Sequence, residues 1–142
     1  MIVLDAYAVI AYFRGEPCGT EVARLLREPT QLSAVNAAEV CDQMTRVFGA
    51  DPDTIEADLA LLTLTGTTIV PVTAELAVEA GRIRARRYHR QHAAVSLADC
   101  VAAATALLGD HTLATADPAL AEVTRAEGGT IYPLPDSKGQ LP

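Results

Sequence analysis

Tryptophan is absent from this 142-residue chain, and four tyrosines and two phenylalanines make up its Tyr and Phe content. So little aromatic bulk, beside abundant alanine, weighs against an all-β sandwich and favours helices packed on a small sheet. Positive charge is also scarce, and the net charge is −7. That excludes a protein that coats nucleic acid by bulk electrostatics, but not an enzyme with a local basic strip and a bound metal. The only lysine is Lys138, close to the C-terminus, so the body of the chain has no catalytic lysine. Cys18, Cys41 and Cys100 are odd in number and far apart, with no C-x-x-C or Cys/His cluster. This pattern offers no zinc site and reads as buried small hydrophobes in a reducing compartment. No apolar run approaches the ~20 residues of a membrane helix. Met1 to Asp5 lacks a basic segment and is interrupted by a charge, unlike a signal peptide. A cytoplasmic protein without a membrane span is expected.

Half of the residues are hydrophobic, enough for one domain with a real core. Residues 1–135 are expected to form that domain and 136–142 a flexible tail. Apolar runs at Ile2–Leu4, Leu32–Val35, Thr68–Val72, Thr112–Thr115 and Thr130–Tyr132 read as short strands. Helical spacing and Gly/Pro stops predict helices over Ala6–Phe13, Thr20–Glu28, Asn36–Phe48, Pro52–Thr65, Ala74–Arg90, Ser96–Leu108 and Pro118–Ala126. Strands alternating with helices imply an α/β fold with a parallel sheet covered on both faces. Ligands of such sheets bind beyond the carboxyl ends of the strands.

Four acids fall where strands or turns give way to helices: Asp5, Glu39, Asp99 and Asp117. Each has a structural explanation as a helix cap. Asn36-Ala-Ala-Glu39 and Ser96-Leu-Ala-Asp99 have capping-box spacing, and Asp117-Pro118 is a good N-cap followed by proline. A cap contributes about 1 kcal/mol, however, and Ser, Thr or Asn would serve as well. All four acids lie on the expected ligand edge. Asp99 also opens a helix that is apolar on nearly every side, where a charge needs a partner. Four clustered carboxylates repel unless a hard cation such as Mg²⁺ or Mn²⁺ is bound among them. Such a site supports phosphodiester hydrolysis by metal-activated water, with no covalent nucleophile. No serine elbow or Cys-His pair suggests otherwise.

In this order along the chain, Ile2-Val-Leu-Asp5, Asn36-Ala-Ala-Glu39-Val40, Leu97-Ala-Asp99 with Val101-Ala-Ala-Ala-Thr-Ala106, and Leu113-Ala-Thr115-Ala-Asp117 resemble the PIN-domain family. The likeness runs from Ile2 to Tyr132 and is specifically to VapC-like toxin ribonucleases. It implies a three-layer α/β/α fold around a parallel sheet of about five strands, and an Mg²⁺-dependent endoribonuclease. By that resemblance Asp5 and Asp99 are the metal ligands. Glu39 and Asp117 complete the catalytic acids, directly or through water, and Thr115 orients water or a ligand beside Asp117. Asn36 is read as a helix cap. The resemblance further implies an RNA substrate, a cognate antitoxin protein and a homodimer. Tyr7 departs from the family pattern, which usually has a small polar residue two positions after its first Asp, and its bulk bears on access to the site.

Arg82, Arg84, Arg86, Arg87 and Arg90 concentrate positive charge in one segment. They read either as the solvated end of a helix or as an RNA-contacting arm before Asp99. His89 and His92 have no partner at metal spacing. The alternative function is a non-catalytic PIN-like module that binds RNA or protein. An aspartyl-phosphate enzyme would want a second Asp close after the first, or a catalytic lysine, and the chain has neither.

Overall fold

Parallel strands need crossover connections, and at least one helix follows each of the first four strands. The computed structural model describes residues Met1–Pro142. In order, the elements are β1 Ile2–Leu4, α1 Ala6–Phe13, α2 Gly19–Leu25, β2 Thr30–Ser33, α3 Ala34–Asp42, a π-helical turn Gln43–Val47, α4 Pro52–Leu64, β3 Thr67–Val70, α5 Ala74–Arg87, α6 Leu97–Leu108, β4 Thr112–Thr115, α7 Pro118–Ala126 and β5 Thr130–Pro133. All five strands are parallel, in the order β3-β2-β1-β4-β5. The chain builds outward from β1 to β3 on one side, then returns to add β4 and β5 on the other. This reversal beside β1 is a topological switch point, where open α/β sheets form their ligand crevice.

The central strands β1 and β4 are short and almost wholly buried, which explains their apolar runs, whereas the edge strands β3 and β5 are only partly covered. Alternation sends Leu4 and Ala114 to one core, with Val9, Val22, Leu32, Val40, Ile55 and Leu62. It sends Val3 and Leu113 to the other, with Ile83, Val95, Cys100, Leu120 and Val123. Helices α1 to α4 cover the first face and α5 to α7 the second, so the fold has three layers. Gly19 permits the close approach of α2 to α1, because a Cβ there would lie 2.8 Å from the Ala11 carbonyl oxygen.

Most element boundaries match the sequence reading to within a few residues, with two informative differences. Strand β2 begins at Thr30, where the Thr30 and Thr67 hydroxyls hydrogen-bond across the strands at 2.9 Å. Helix α3 then begins at Ala34 and is capped by Ser33, whose hydroxyl accepts the Asn36 N–H at 3.0 Å. Asn36 is therefore not the cap, and the expected Asn36–Glu39 capping box does not form. The helix also does not run unbroken to Phe48. It passes into the π-helical turn at Gln43, where the Phe48 N–H bonds the Gln43 carbonyl at 3.2 Å. Cys18 and Cys100 are buried as expected, whereas Cys41 is exposed.

Candidate active site

Strand pairing brings the first elements of the site together. Leu4 pairs with Leu32 on one side and Ala114 on the other, so Asp5 emerges between the carboxyl ends of β2 and β4. Asp5 is 4% exposed. Its Oδ1 accepts the Ala8 N–H at 2.7 Å and caps α1. Asp117, just past β4, caps α7 by accepting the Ala119 and Leu120 N–H groups at 2.7 and 3.1 Å with one oxygen. Asp99 and Ser96 form the expected capping box, with the Ser96 N–H donating to Asp99 Oδ2 at 2.7 Å.

Glu39 is different. It lies in the second turn of α3, beyond the reach of any N-terminal cap. Gln43 Nε2 donates to its Oε1 at 2.9 Å, and its Oε2 is buried with no hydrogen-bond partner. A buried oxygen left unpaired is costly, and helix capping gives no reason for an acid here. For the other three, the capping and ligand readings are compatible. Asp99 and Asp117 each commit one oxygen to the backbone, leaving the second without a hydrogen-bond partner within the chain.

One pocket of about 300 Å³ is lined by Asp5, Glu39, Asp99 and Asp117 together with Ala6, Tyr7, Gln43 and Ser96. Burial pushes the Asp5 carboxyl up to about 7, assisted by the charges of Asp99 and Asp117 and opposed by hydrogen bonds from Thr115 and Ala8. Burial and the Asp99 charge also raise Glu39. Burial raises Asp99, against the bonds from Ser96, and the Asp117 charge adds to the rise. These shifts record one physical fact: negative charge is costly here without a counter-ion.

Thr115 is fully buried, and its hydroxyl accepts the Asp117 N–H at 3.0 Å. Buried Asn36 reaches from α3 toward α6, its Nδ2 donating to the Ala98 carbonyl at 3.4 Å, while its Oδ1 accepts from the Ser33 hydroxyl. It thus braces the helix carrying Glu39 against the first turn carrying Asp99. Sequence reading assigned neither this role nor that of Gln43. Tyr7 contributes to the pocket lining, but its side chain packs against the first core and its buried hydroxyl has no hydrogen-bond partner. Burial and the proximity of Cys18 and Glu16 push that hydroxyl up to about 12.

None of the five clustered arginines lines the acidic pocket. Arg86 and Arg87 both pair with Glu127 beyond α7, at 2.7 and 2.6 Å. Arg82 and Arg86 also reach Glu79. Arg84 donates to the Val95 carbonyl at 3.1 Å and lies over the Tyr88 ring. Arg90 is exposed beyond the end of α5 and has no ion-pair partner.

The PIN domain family model matches residues 2–126. The chain belongs to the PIN domain family. No curated protein matches this PIN domain by sequence. Solved structures share its fold at low identity. The sarcin-ricin-loop-cleaving toxin VapC20 of Mycobacterium tuberculosis aligns with a TM-score of 0.68 and 18% identity, over 92% of this chain and 97% of that one. VapBC2 of Rickettsia felis, bound to a promoter DNA fragment, gives 0.67 and 18%, over 93% and 98%. FitAcB of Neisseria gonorrhoeae gives 0.65 and 24%, over 93% and 96%. The three-layer arrangement and the five-stranded parallel sheet are those of the family.

No three His, Cys, Asp or Glu side chains in this PIN domain close into a ready-made metal cage. The donor set nevertheless fits a hard divalent cation. It is all carboxylate, one of its buried oxygens is unpaired, and the Asp99 charge adds to the burial that raises Asp5 and Glu39. Mg²⁺ keeps several waters and needs only one or two protein carboxylates. No helix is long and apolar enough to cross a membrane.

Proposed function

We propose that the chain is a divalent-metal-dependent endoribonuclease, the toxin of a toxin–antitoxin pair. One observation carries this reading: carboxylates from four separate segments line a single pocket at the sheet's switch point, with Asp5 pushed up to about 7. The family match and the toxin folds are its context.

Asp5 and Asp99 would hold Mg²⁺, or Mn²⁺ in its place, with Glu39 and Asp117 as further ligands directly or through water. Bound there, the ion would supply Lewis acidity to water and to the phosphate. The chain's own groups do the positioning. Helix N-termini hold the oxygens of Asp5, Asp99 and Asp117 in fixed directions. Thr115 ties Asp117 to the end of β4 beside Asp5, so the two acids keep their spacing. Asn36 fixes α3 against α6, and with it Glu39 against Asp99.

Arg90 is the free cation of the proposed RNA-contacting arm, whereas Arg82, Arg84, Arg86 and Arg87 are engaged within the chain and shape the segment before Asp99. A cognate antitoxin protein would mask the pocket, and a homodimer is the proposed assembly. The test is cleavage of RNA by the full chain with Mg²⁺ or Mn²⁺ and with excess chelator. Metal-dependent cleavage supports the reading. RNA binding without cleavage under any metal would favour the non-catalytic module, for which Tyr7, two positions after Asp5, is the one favouring feature.

A further inference from the structure

Gln43 is the only carboxamide lining the acidic pocket. It sits one helical turn beyond Glu39 and donates to Glu39 Oε1 at 2.9 Å. A surface Glu–Gln pair at this spacing contributes only about 0.2–0.5 kcal/mol and leaves both oxygens wet. Here Glu39 Oε2 is buried and unpartnered, so the pair is not a surface ornament. The backbone is also unusual at this point. The α-helix opens into a π-helical turn that begins at Gln43, a distortion found often at functional sites. The turn closes on its cap residue Phe48, whose N–H bonds the Gln43 carbonyl and whose ring centroid lies 3.5 Å from the Arg14 guanidinium carbon. Arg14 is itself held by Glu16 at 2.7 Å.

We infer that Gln43 is a positioning residue: it grips one oxygen of Glu39 and leaves the other committed to nothing in the protein, available to a divalent cation in the pocket. The inference rests on the metal-site reading above and deepens it. Its chemistry favours an amide over a base. Lysine or arginine at this position would also anchor Glu39, but its positive charge would compete with the cation for the carboxylates. An amide N–H donates a hydrogen bond and adds no charge. The π-helical turn fixes where that amide starts, and the Phe48–Arg14–Glu16 chain ties the turn to the region after α1.

The test is a double-mutant cycle read by Mn²⁺ binding to the full chain in isothermal titration calorimetry. The proteins are wild type, Gln43→Met, Glu39→Gln and the double variant. Methionine keeps the bulk and removes the donor. Gln43→Met is expected to weaken Mn²⁺ binding about tenfold, the scale of one hydrogen bond to a charged group. The metal-free melting temperature is expected to stay close to wild type. On the Glu39→Gln background the same change is expected to cost no further affinity. If Gln43→Met does not fold, Gln43→Ala carries the same comparison on a good helix former. Unchanged Mn²⁺ affinity in a folded Gln43 variant overturns the inference while leaving the metal site intact. An equal loss with and without Glu39 overturns it as well. A wild-type protein that binds no Mn²⁺ overturns the metal site and the inference together.

Discussion

The buried Thr115 hydroxyl accepts the backbone N–H of Asp117 at 3.0 Å and also lowers the pKa of the Asp5 carboxyl across the switch point. One hydroxyl therefore couples two acids from adjacent segments. Thr115→Val keeps the shape, removes this coupling and leaves the Asp117 N–H unpaired. The expected cost is about 1–3 kcal/mol in stability, with a fall in RNA cleavage that Thr115→Ser largely restores. Denaturant melts and cleavage assays on the two variants check this. Equal behaviour of Val and Ser would mean that the hydroxyl does not matter.

The state of Asp5 makes a prediction about pH. Its folded pKa is raised from 3.8 to about 7. The folded state therefore binds the proton more tightly than the unfolded chain, and stability is lost as pH rises between those values. In metal-free protein Asp5 alone should contribute a loss of roughly 1 kcal/mol per pH unit across that window. Asp5→Asn should remove that slope and be the more stable protein above pH 7. Melting curves of both proteins in chelator across this range provide the measurement. Parallel pH profiles would show that Asp5 is not perturbed in this way.

Asn36 bridges two helices from a fully enclosed position. Asn36→Ala would leave the Ala98 carbonyl and the Ser33 hydroxyl short of a partner, costing about 1–3 kcal/mol. Because the brace sets Glu39 against Asp99, Mn²⁺ affinity should fall with it. Asn36→Ala with wild-type Mn²⁺ affinity would confine the residue to a structural role.

The arginine segment divides into engaged and free members. Arg90→Ala should weaken RNA binding by a cleavage-dead Asp5→Asn protein and reduce the salt slope by about 0.7, one phosphate contact to a single strand. Arg87→Ala should instead loosen the segment from Glu127, at about 1 kcal/mol or less, as expected of an exposed pair. Binding titrations at several salt concentrations separate the two. An unchanged salt slope for Arg90→Ala would remove that residue from the proposed interface.

The strands and the capping acids were legible because they follow simple rules. Buried parallel strands are short apolar runs, and Asp117-Pro118 and Ser96-Leu-Ala-Asp99 carry their cap geometry in their spacing. The start of α3 was misread for a physical reason. Ser33-Ala-Val-Asn36 and Asn36-Ala-Ala-Glu39 offer two cap frames one turn apart, and the strand pairing of β2, continued to Ser33 opposite Val70, selects the first. That choice changes the meaning of Glu39, which loses its capping explanation and stands as a half-buried acid with one buried, unpaired oxygen. The π-helical turn was not legible, because Gln43-Met-Thr-Arg-Val47 has ordinary helical composition. Neither was Gln43, since a Glu–Gln pair four residues apart is commonplace on exposed helices.

The most direct measurement of the central claim is RNA cleavage in Mg²⁺ by wild type, Asp5→Asn and Asp99→Asn at matched concentration, each shown to be folded by its melting curve. The expected result is cleavage by wild type that chelator abolishes, and none detectable from either folded variant. Equal cleavage by all three proteins would contradict the account.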